Sequence, residues 1–393
     1  SIAYNIPFST VLQGAYNITR FAKAIDTVIE RHEILRTVFR EEDSGEVRQR
    51  VLSKETLGFA IDYQDFKSEE NPEAMAKAYI ASDANTAFDL ANGPLLRASL
   101  LQLSDDQYVF YYNTHHIISD GWSMNVLSRD VLTCYKAYME GLAPELPELR
   151  IQYKDYATWQ LSQIETKEYQ DHKTFWTESL KGDLPILELP KKGARPSVNS
   201  YEGKGLRTYL SQETTSGLKN LSQDQGGSLF MGLLATWNVL FNKYTTSKDI
   251  IIGSPVAGRD HADLENQIGF YVNTVALRNQ INTEESFTTF YNEVKQNTMT
   301  AFSHQSYPFD CVVEDLDIKR EKGANAIFDV MLALQNVGDK ITSIVVTEED
   351  ENTILDLGNT VSKFDITLNF QEIGNHLLFD VIYNTSLYEE EMI

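Results

Sequence analysis

Chemistry is most readily placed at His115-His116-Ile117-Ile118-Ser119-Asp120-Gly121. The chain has 7 histidines, and the five outside this pair are scattered. An imidazole changes charge near neutral pH and can pass a proton. Here the pair stands where an apolar strand turns through Ser-Asp-Gly into a helix. Such a turn holds side chains rigidly and exposes helix N–H donors, which favour developing negative charge. Only one of two consecutive strand residues can face a given cavity. A histidine on a strand is often just a satisfied core residue, and a metal pair is conceivable. The metal reading fails on inventory, because neither Cys nor a further His lies at ligand spacing. There is also no Gly-x-Ser-x-Gly elbow and no Cys beside a histidine in sequence. By itself the pair leaves catalysis and core packing open.

The flanking elements are legible from periodicity. Residues 6–12 alternate as a strand, and a helix follows over Ile18–His32 with Phe21, Ile25, Val28 and Ile29 on one face. Leu35–Arg40 and Val47–Val51 read as a hairpin around Asp43-Ser44-Gly45. A helix over Pro72–Ala87 precedes paired strands at Leu95–Leu103 and Gln107–Asn113, the second of which leads to His115. After Gly121 a long helix runs to about Glu140 and stops at Gly141, with Pro144 and Pro147 opening a polar connector. Residues 154–181 read as helical and 182–205 as loop. Beyond them come strand 206–210, helix Leu229–Thr245, strand Ile250–Ile252, helix 287–303, and strands 328–335 and 344–347. Phe364–Phe370 and Leu377–Tyr383 close as a hairpin across Gly374-Asn375. Mixed strands and helices in each half predict two α/β lobes joined near residues 142–205.

Composition narrows the class. A chain of 393 residues exceeds what one core usually serves, and 42% hydrophobic with 11% aromatic residues supplies packed cores. The net charge of −23 carries no basic block, which argues against nucleic acid or an anionic membrane as partner. Two cysteines, Cys134 and Cys311, exclude a disulfide scaffold and read as reduced thiols. No apolar run approaches 18 residues and no signal peptide is evident, so a soluble, cytoplasmic protein is expected. Ser1-Ile2-Ala3-Tyr4 and the closing Tyr388-Glu389-Glu390-Glu391-Met392-Ile393 read as cuts through a longer sequence.

His115 to Ser123 matches the HHxxxDG signature of the condensation domains of non-ribosomal peptide synthetases, a family that resembles chloramphenicol acetyltransferase in fold. Further family motifs occur in order. Arg31-His32-Glu33-Ile34-Leu35-Arg36-Thr37-Val38-Phe39 resembles RHExLRTxF, and Tyr153-Lys154-Asp155-Tyr156-Ala157-Thr158-Trp159 resembles YxDYAxW. Ile268 to Arg278 resembles IGxFVNTxxxR, and His304-Gln305-Ser306-Tyr307-Pro308-Phe309-Asp310 resembles HQDxPFE with Ser306 in place of Asp. The first family motif is absent, and the last is degraded over Arg320–Asp329 while Val330-Met331 and Leu334-Gln335-Asn336 continue it.

The resemblance implies mixed α/β sheets in two acetyltransferase-like lobes, arranged as a V with a central tunnel. Residues 1–150 form the N-terminal lobe, 151–205 a connector with a helix, and 206–393 the C-terminal lobe with a bridging loop near 268–278. The implied reaction is attack by the α-amine of a downstream aminoacyl thioester on an upstream aminoacyl or peptidyl thioester. No cofactor is held tightly, since substrates arrive on the 4'-phosphopantetheine of carrier domains, with an adjacent adenylation domain choosing the monomer. His116 is implied to face the amine as base or positioning group, and His115 to pack or orient the loop. Asp120 is expected to lock the turn by pairing with Arg278, with Arg36 second. Gly121 is expected to admit a thioester carbonyl and to offer its N–H to the oxyanion. Ser123 is expected to cap the helix, Asn273 and Thr274 to line the tunnel floor, and Trp159, Pro308 and Phe309 to pack. Lys191, Lys192 and Arg195 read as solvated linker charges rather than carrier contacts. A heterocyclisation domain would carry DxxxxD in place of the two histidines. An epimerisation domain, an acyltransferase using free coenzyme A and a non-catalytic recruiting domain are the alternatives, the last disfavoured by His116 and Gly121. Ile268-Gly269-Phe270-Tyr271 hints at a D-configured donor and leaves L or D open.

Overall fold

The structure, a computed structural model, describes residues 2–196, 200–318, 325–335 and 350–393. Its contacts divide into two compact units, one of residues 1–163 with 259–272, the other of residues 164–258 with 273–393. This division differs from the expected one in two places. Residues 151–205 form no separate connector, because the helix Tyr153–Gln163 falls in the first unit and the helix Lys167–Ser179 in the second. The units divide after Gln163, and three residues on, the Thr166 hydroxyl accepts the Tyr169 N–H and starts the next helix. The segment 259–272 belongs to the first unit although both its neighbours in sequence belong to the second.

In the first unit β1 (Asn5–Gln13), β4 (Asp62–Asp65), β5 (Leu96–Gln102) and β6 (Gln107–His115) form a sheet in the order β1-β6-β5-β4, while β2 (Thr37–Glu41) and β3 (Val47–Val51) form a separate hairpin. β6 is central and antiparallel to both neighbours. Its alternation is clean. Tyr108, Phe110 and Tyr112 enter one core with Phe21, Ile25, Val28 and Ile29 of the helix Ile18–Arg31 and Leu127, Val131 and Cys134 of the helix Gly121–Met139. Val109 and Tyr111 enter a second core with Ala76, Tyr79 and Ile80 of the helix Pro72–Ala84. A strand apolar on both faces is thus covered by helices on both, and its end is held rigidly where the histidines begin.

In the second unit β7 (Glu202–Leu210), β8 (Asp249–Val256), β9 (Asn273–Gln280), β10 (Val330–Gln335), β11 (Leu355–Val361), β12 (Ile366–Ile373) and β13 (His376–Asn384) form a mixed sheet in the order β11-β7-β13-β12-β10-β8-β9. β10 runs parallel to both β12 and β8, and the remaining pairs are antiparallel. The helices Leu229–Thr245 and Phe287–Ser303 supply Leu233, Leu234, Phe241, Phe290 and Val294 to its core. At Gly253 on β8 an added Cβ would stand 2.1 Å from the Phe328 ring, so only glycine fits. The expected strand 344–347, residues 320–324 of the degraded motif, and Asn336 lie outside the described residues. Among the described residues no helix is long and apolar enough to cross a membrane.

Candidate active site

β6 ends at His115 and the chain turns at once. The His115 N–H donates to the Leu95 carbonyl (3.0 Å), and its ring Nδ1 accepts the Ile117 N–H (3.1 Å). The ring is buried, with its centroid 6.1 Å from those of both Tyr4 and Phe88. Phe88 lies beneath the Arg97 guanidinium at 3.8 Å, and Arg97 is held by the Asp83 carboxylate and the Thr86 carbonyl.

His116 opens a 3-10 turn, His116–Ile118, and is half-buried. Its Nδ1 lies 2.8 Å from the Ser119 carbonyl oxygen. A carbonyl only accepts, so Nδ1 carries the proton and Nε2 is the basic nitrogen of the neutral ring. The Phe270 ring meets the imidazole edge-on, with centroids 5.0 Å apart at 76°.

Asp120 holds this turn from behind. It is the N-cap of the helix Gly121–Met139 and is 2% exposed. Its Oδ1 accepts the Ser123 N–H (2.8 Å) and lies 2.7 Å from the Ser123 hydroxyl; its Oδ2 accepts the Tyr271 N–H (3.1 Å). The counter-charge is Arg259, equally buried, whose Nη2 reaches Oδ1 at 3.1 Å and Oδ2 at 3.3 Å. Arg259 also donates to the Gln267 carbonyl (2.8 Å) and the Leu264 carbonyl, and its guanidinium lies 4.2 Å from the Tyr271 ring centre. The Ser123 hydroxyl accepts the Gly269 N–H and lies 3.0 Å from the Gly269 carbonyl. At Gly269 an added Cβ would meet Tyr153 at 2.4 Å and Tyr271 at 2.7 Å. The Tyr153 hydroxyl donates to the Phe270 carbonyl at 3.0 Å. By contrast, an added Cβ at Gly121 meets nothing within 4 Å.

Several sequence expectations are corrected here. The partner of Asp120 is Arg259, not Arg278 or Arg36. Arg278, on β9, is captured by Asp249 near it across the β8–β9 ladder (2.7 Å from Nη2) and by the Lys181 carbonyl. Arg36 donates to the Leu52 carbonyl at 2.8 Å. The helix cap is Asp120, and Ser123 instead ties the helix start to Gly269. Apart from these corrections, Asn273 donates through Nδ2 to the carbonyls of Gln305 (2.7 Å) and Tyr307 (2.8 Å), and its Oδ1 accepts the Phe309 N–H (3.0 Å). It shapes the 304–309 loop. Trp159 is 51% exposed rather than packed, although Phe309 is half-buried against the core of the second unit. Arg195 is no solvated charge, since it is mostly buried and forks onto Asp365.

The remaining motifs brace these parts. His32 is fully buried with Nε2 3.2 Å from Asp130 Oδ2, and burial holds its pKa below the ordinary value. The His304 ring stacks on Phe175 at 4.1 Å with its Nδ1 2.8 Å from that of His172; burial and then His172 lower its pKa. Burial pushes both thiols, Cys134 and Cys311, up to about 11, so neither is a thiolate at neutral pH. Arg259 is the functional residue that sequence reading missed. Its local signal in the sequence is a glycine, Gly258, just before it and shortly after the strand Asp249–Val256; in the structure Gly258 has φ 63°.

A family model described as Condensation domain matches residues 1–393. The chain is 37% identical over 390 residues to tyrocidine synthase 3 of Brevibacillus parabrevis, covering 99% of this chain and 6% of that protein. It is 37% identical over 393 residues to gramicidin S synthase 2 of Brevibacillus brevis, covering 100% of this chain and 8% of that protein. The chain therefore spans only a small part of either relative's length. In fold it is similar to the X-domain from teicoplanin biosynthesis (TM-score 0.84, 22% identity, covering 100% of this chain and 88% of that one). It is also similar to a four domain nonribosomal peptide synthetase bound to AMP and glycine (TM-score 0.82, 24% identity, 99% and 30%).

Proposed function

This chain belongs to the condensation domain family of amide-forming acyltransferases, and from that membership we propose that it joins two thioester-borne substrates at His116. The acceptor is the free α-amine of a downstream aminoacyl thioester. The donor is the carbonyl of an upstream aminoacyl or peptidyl thioester. Both hang on 4'-phosphopantetheine arms of carrier domains, and an adenylation domain of the same synthetase loads the acceptor.

A neutral amine is already a nucleophile, so the site must orient it, take one proton and stabilise one oxyanion. The Nε2 of His116 accepts a hydrogen bond from the amine. As the C–N bond forms, the amine proton passes to Nε2 and the carbonyl oxygen becomes an oxyanion. The N–H of Gly121, at the start of a 19-residue helix, donates to that oxygen. When the C–S bond breaks, the departing thiolate takes the proton from the imidazolium. The products are an amide on the downstream arm and a free thiol on the upstream one.

The observation that supports this reading is the 2.8 Å contact between His116 Nδ1 and the Ser119 carbonyl, since it puts the ring proton on Nδ1 and the lone pair on Nε2. The test is single-turnover coupling between two separately loaded carriers, with the acyl group on the downstream carrier read by mass spectrometry. His116→Ala is expected to slow coupling by about 10²–10⁴. Undiminished coupling by that variant sinks the assignment.

A further inference from the structure

Phe270 is held against the base by its backbone. Gly269 before it donates its N–H to the Ser123 hydroxyl. Its own carbonyl accepts from Tyr153, and the next N–H, that of Tyr271, donates to Asp120. The Tyr153 and Tyr271 rings leave Gly269 no room for a side chain. A backbone pinned at consecutive residues aims the Phe270 side chain in one direction, edge-on to His116 at 5.0 Å. Yet the ring stays 41% exposed. It is therefore an exposed apolar surface beside the His116 imidazole.

Resting on the coupling reading above, we infer that Phe270 is a specificity-determining residue for the acceptor, limiting the size of the substituent on its amine-bearing carbon. The amine must come within hydrogen-bond reach of Nε2, about 3 Å. The carbon bonded to that nitrogen, and the first atoms of its substituent, then lie within one or two bonds of the imidazole and meet the neighbouring ring. Donor atoms lie across the forming bond and are farther from it. The Phe270 position also falls at the unspecified residue of the IGxFVNT pattern, so its size can vary while Gly269 and its anchors stay.

The experiment is a competition. A downstream carrier loaded with alanine and one loaded with phenylalanine are offered together to one donor-loaded carrier, and the two products are quantified by mass spectrometry. Phe270→Ala is expected to shift the product ratio toward phenylalanine by about tenfold or more, the discrimination that a few methylenes of pocket space supply. Phe270→Leu should fall between. A product ratio unchanged in both variants, while each still couples, overturns the inference. If the unsubstituted protein couples no pair, the coupling reading fails, and Phe270 is judged by binding instead. Amide-linked alanyl- and phenylalanyl-pantetheine are titrated calorimetrically against the chain and both variants. A shift of the two Kd values toward the larger ligand in Phe270→Ala supports the size limit; an unshifted ratio, or no binding at all, overturns it.

Discussion

At Asp120 one carboxylate meets three demands, and each is structural. It caps a helix, fixes Ser123, and holds the N–H of Tyr271, while Arg259 supplies the charge that makes its burial tolerable. Breaking a buried pair by removing one partner costs about 3–5 kcal/mol, because the survivor stays buried and uncompensated. Arg259→Ala is thus expected to lower the stability of the first unit by that order and to lower coupling with it. Arg259→Lys restores charge but not the planar fork that spans carboxylate and carbonyls. Its recovery in urea unfolding should be partial, and full recovery would show that charge alone is needed. Gly121 gives the converse case. The fold leaves open space where a Cβ would go, so Gly121→Ala should leave stability unchanged or slightly raised. Coupling should nevertheless fall about tenfold or more, because the added methyl occupies the space through which the thioester carbonyl approaches the Gly121 N–H. Because alanine keeps the backbone N–H, a variant that couples at the original rate shows that close approach of the thioester does not need glycine here.

Between elements, the tie of most consequence joins the end of the helix Ile18–Arg31 to the helix Gly121–Met139 through His32 and Asp130. Burial holds the His32 pKa below 6.5, outweighing the pull of Asp130. The unfolded chain therefore binds a proton more readily than the folded one, and the stabilisation is complete above the unfolded value near 6.5 and falls as pH drops below it. Burial alone would raise Asp130, but hydrogen bonds from His32 and Arg129 bring it below 3.8. Its contribution is present above that value and is lost on further acidification through the folded pKa. Hydrogen exchange in these two helices should therefore quicken, after correction for intrinsic rates, between about pH 7 and pH 5. His32→Asn should show a flatter response from a lower starting stability; an unchanged slope would take His32 out of the acid response. The elements themselves differ in how far periodicity exposes them. The helix Ile18–Arg31 has a full apolar stripe and is plain in the sequence. Gln212–Asp224 brings only Leu218 and Leu221 to the core, both partly buried, and the strand β11 is almost wholly exposed, so the apolar period in each is too short to stand out. The turn at His115–Gly121 is legible because its residues are adjacent. Arg259 is not, because its partner lies 139 residues away and the glycine before it is too weak a signal to single it out from the other arginines.

For the molecule as a whole, charge is the term that composition states most directly and that the fold does least to hide. There are 57 acidic residues against 34 basic ones, so each acidic side chain sits in the repulsive field of many others. Ion pairs such as Arg48–Glu46 and Lys181–Glu178 are mostly exposed on both partners, and pairs of that kind contribute about 0–1 kcal/mol. The Asp120–Arg259 and His32–Asp130 contacts are buried, where added ions screen little. Salt therefore acts mainly on the surface, weakening many small attractions and a larger net repulsion. Raising sodium chloride from about 0.02 M to about 0.3 M shortens the screening length from roughly 20 Å to roughly 6 Å. That range spans the spacing between neighbouring surface charges but not the shorter distance within an ion pair. The long-range repulsion should fade first, and the thermal midpoint at pH 7.5 should rise by several degrees across the series and then level off. A midpoint that falls steadily over the same range would mean that surface pairs outweigh the net charge of −23.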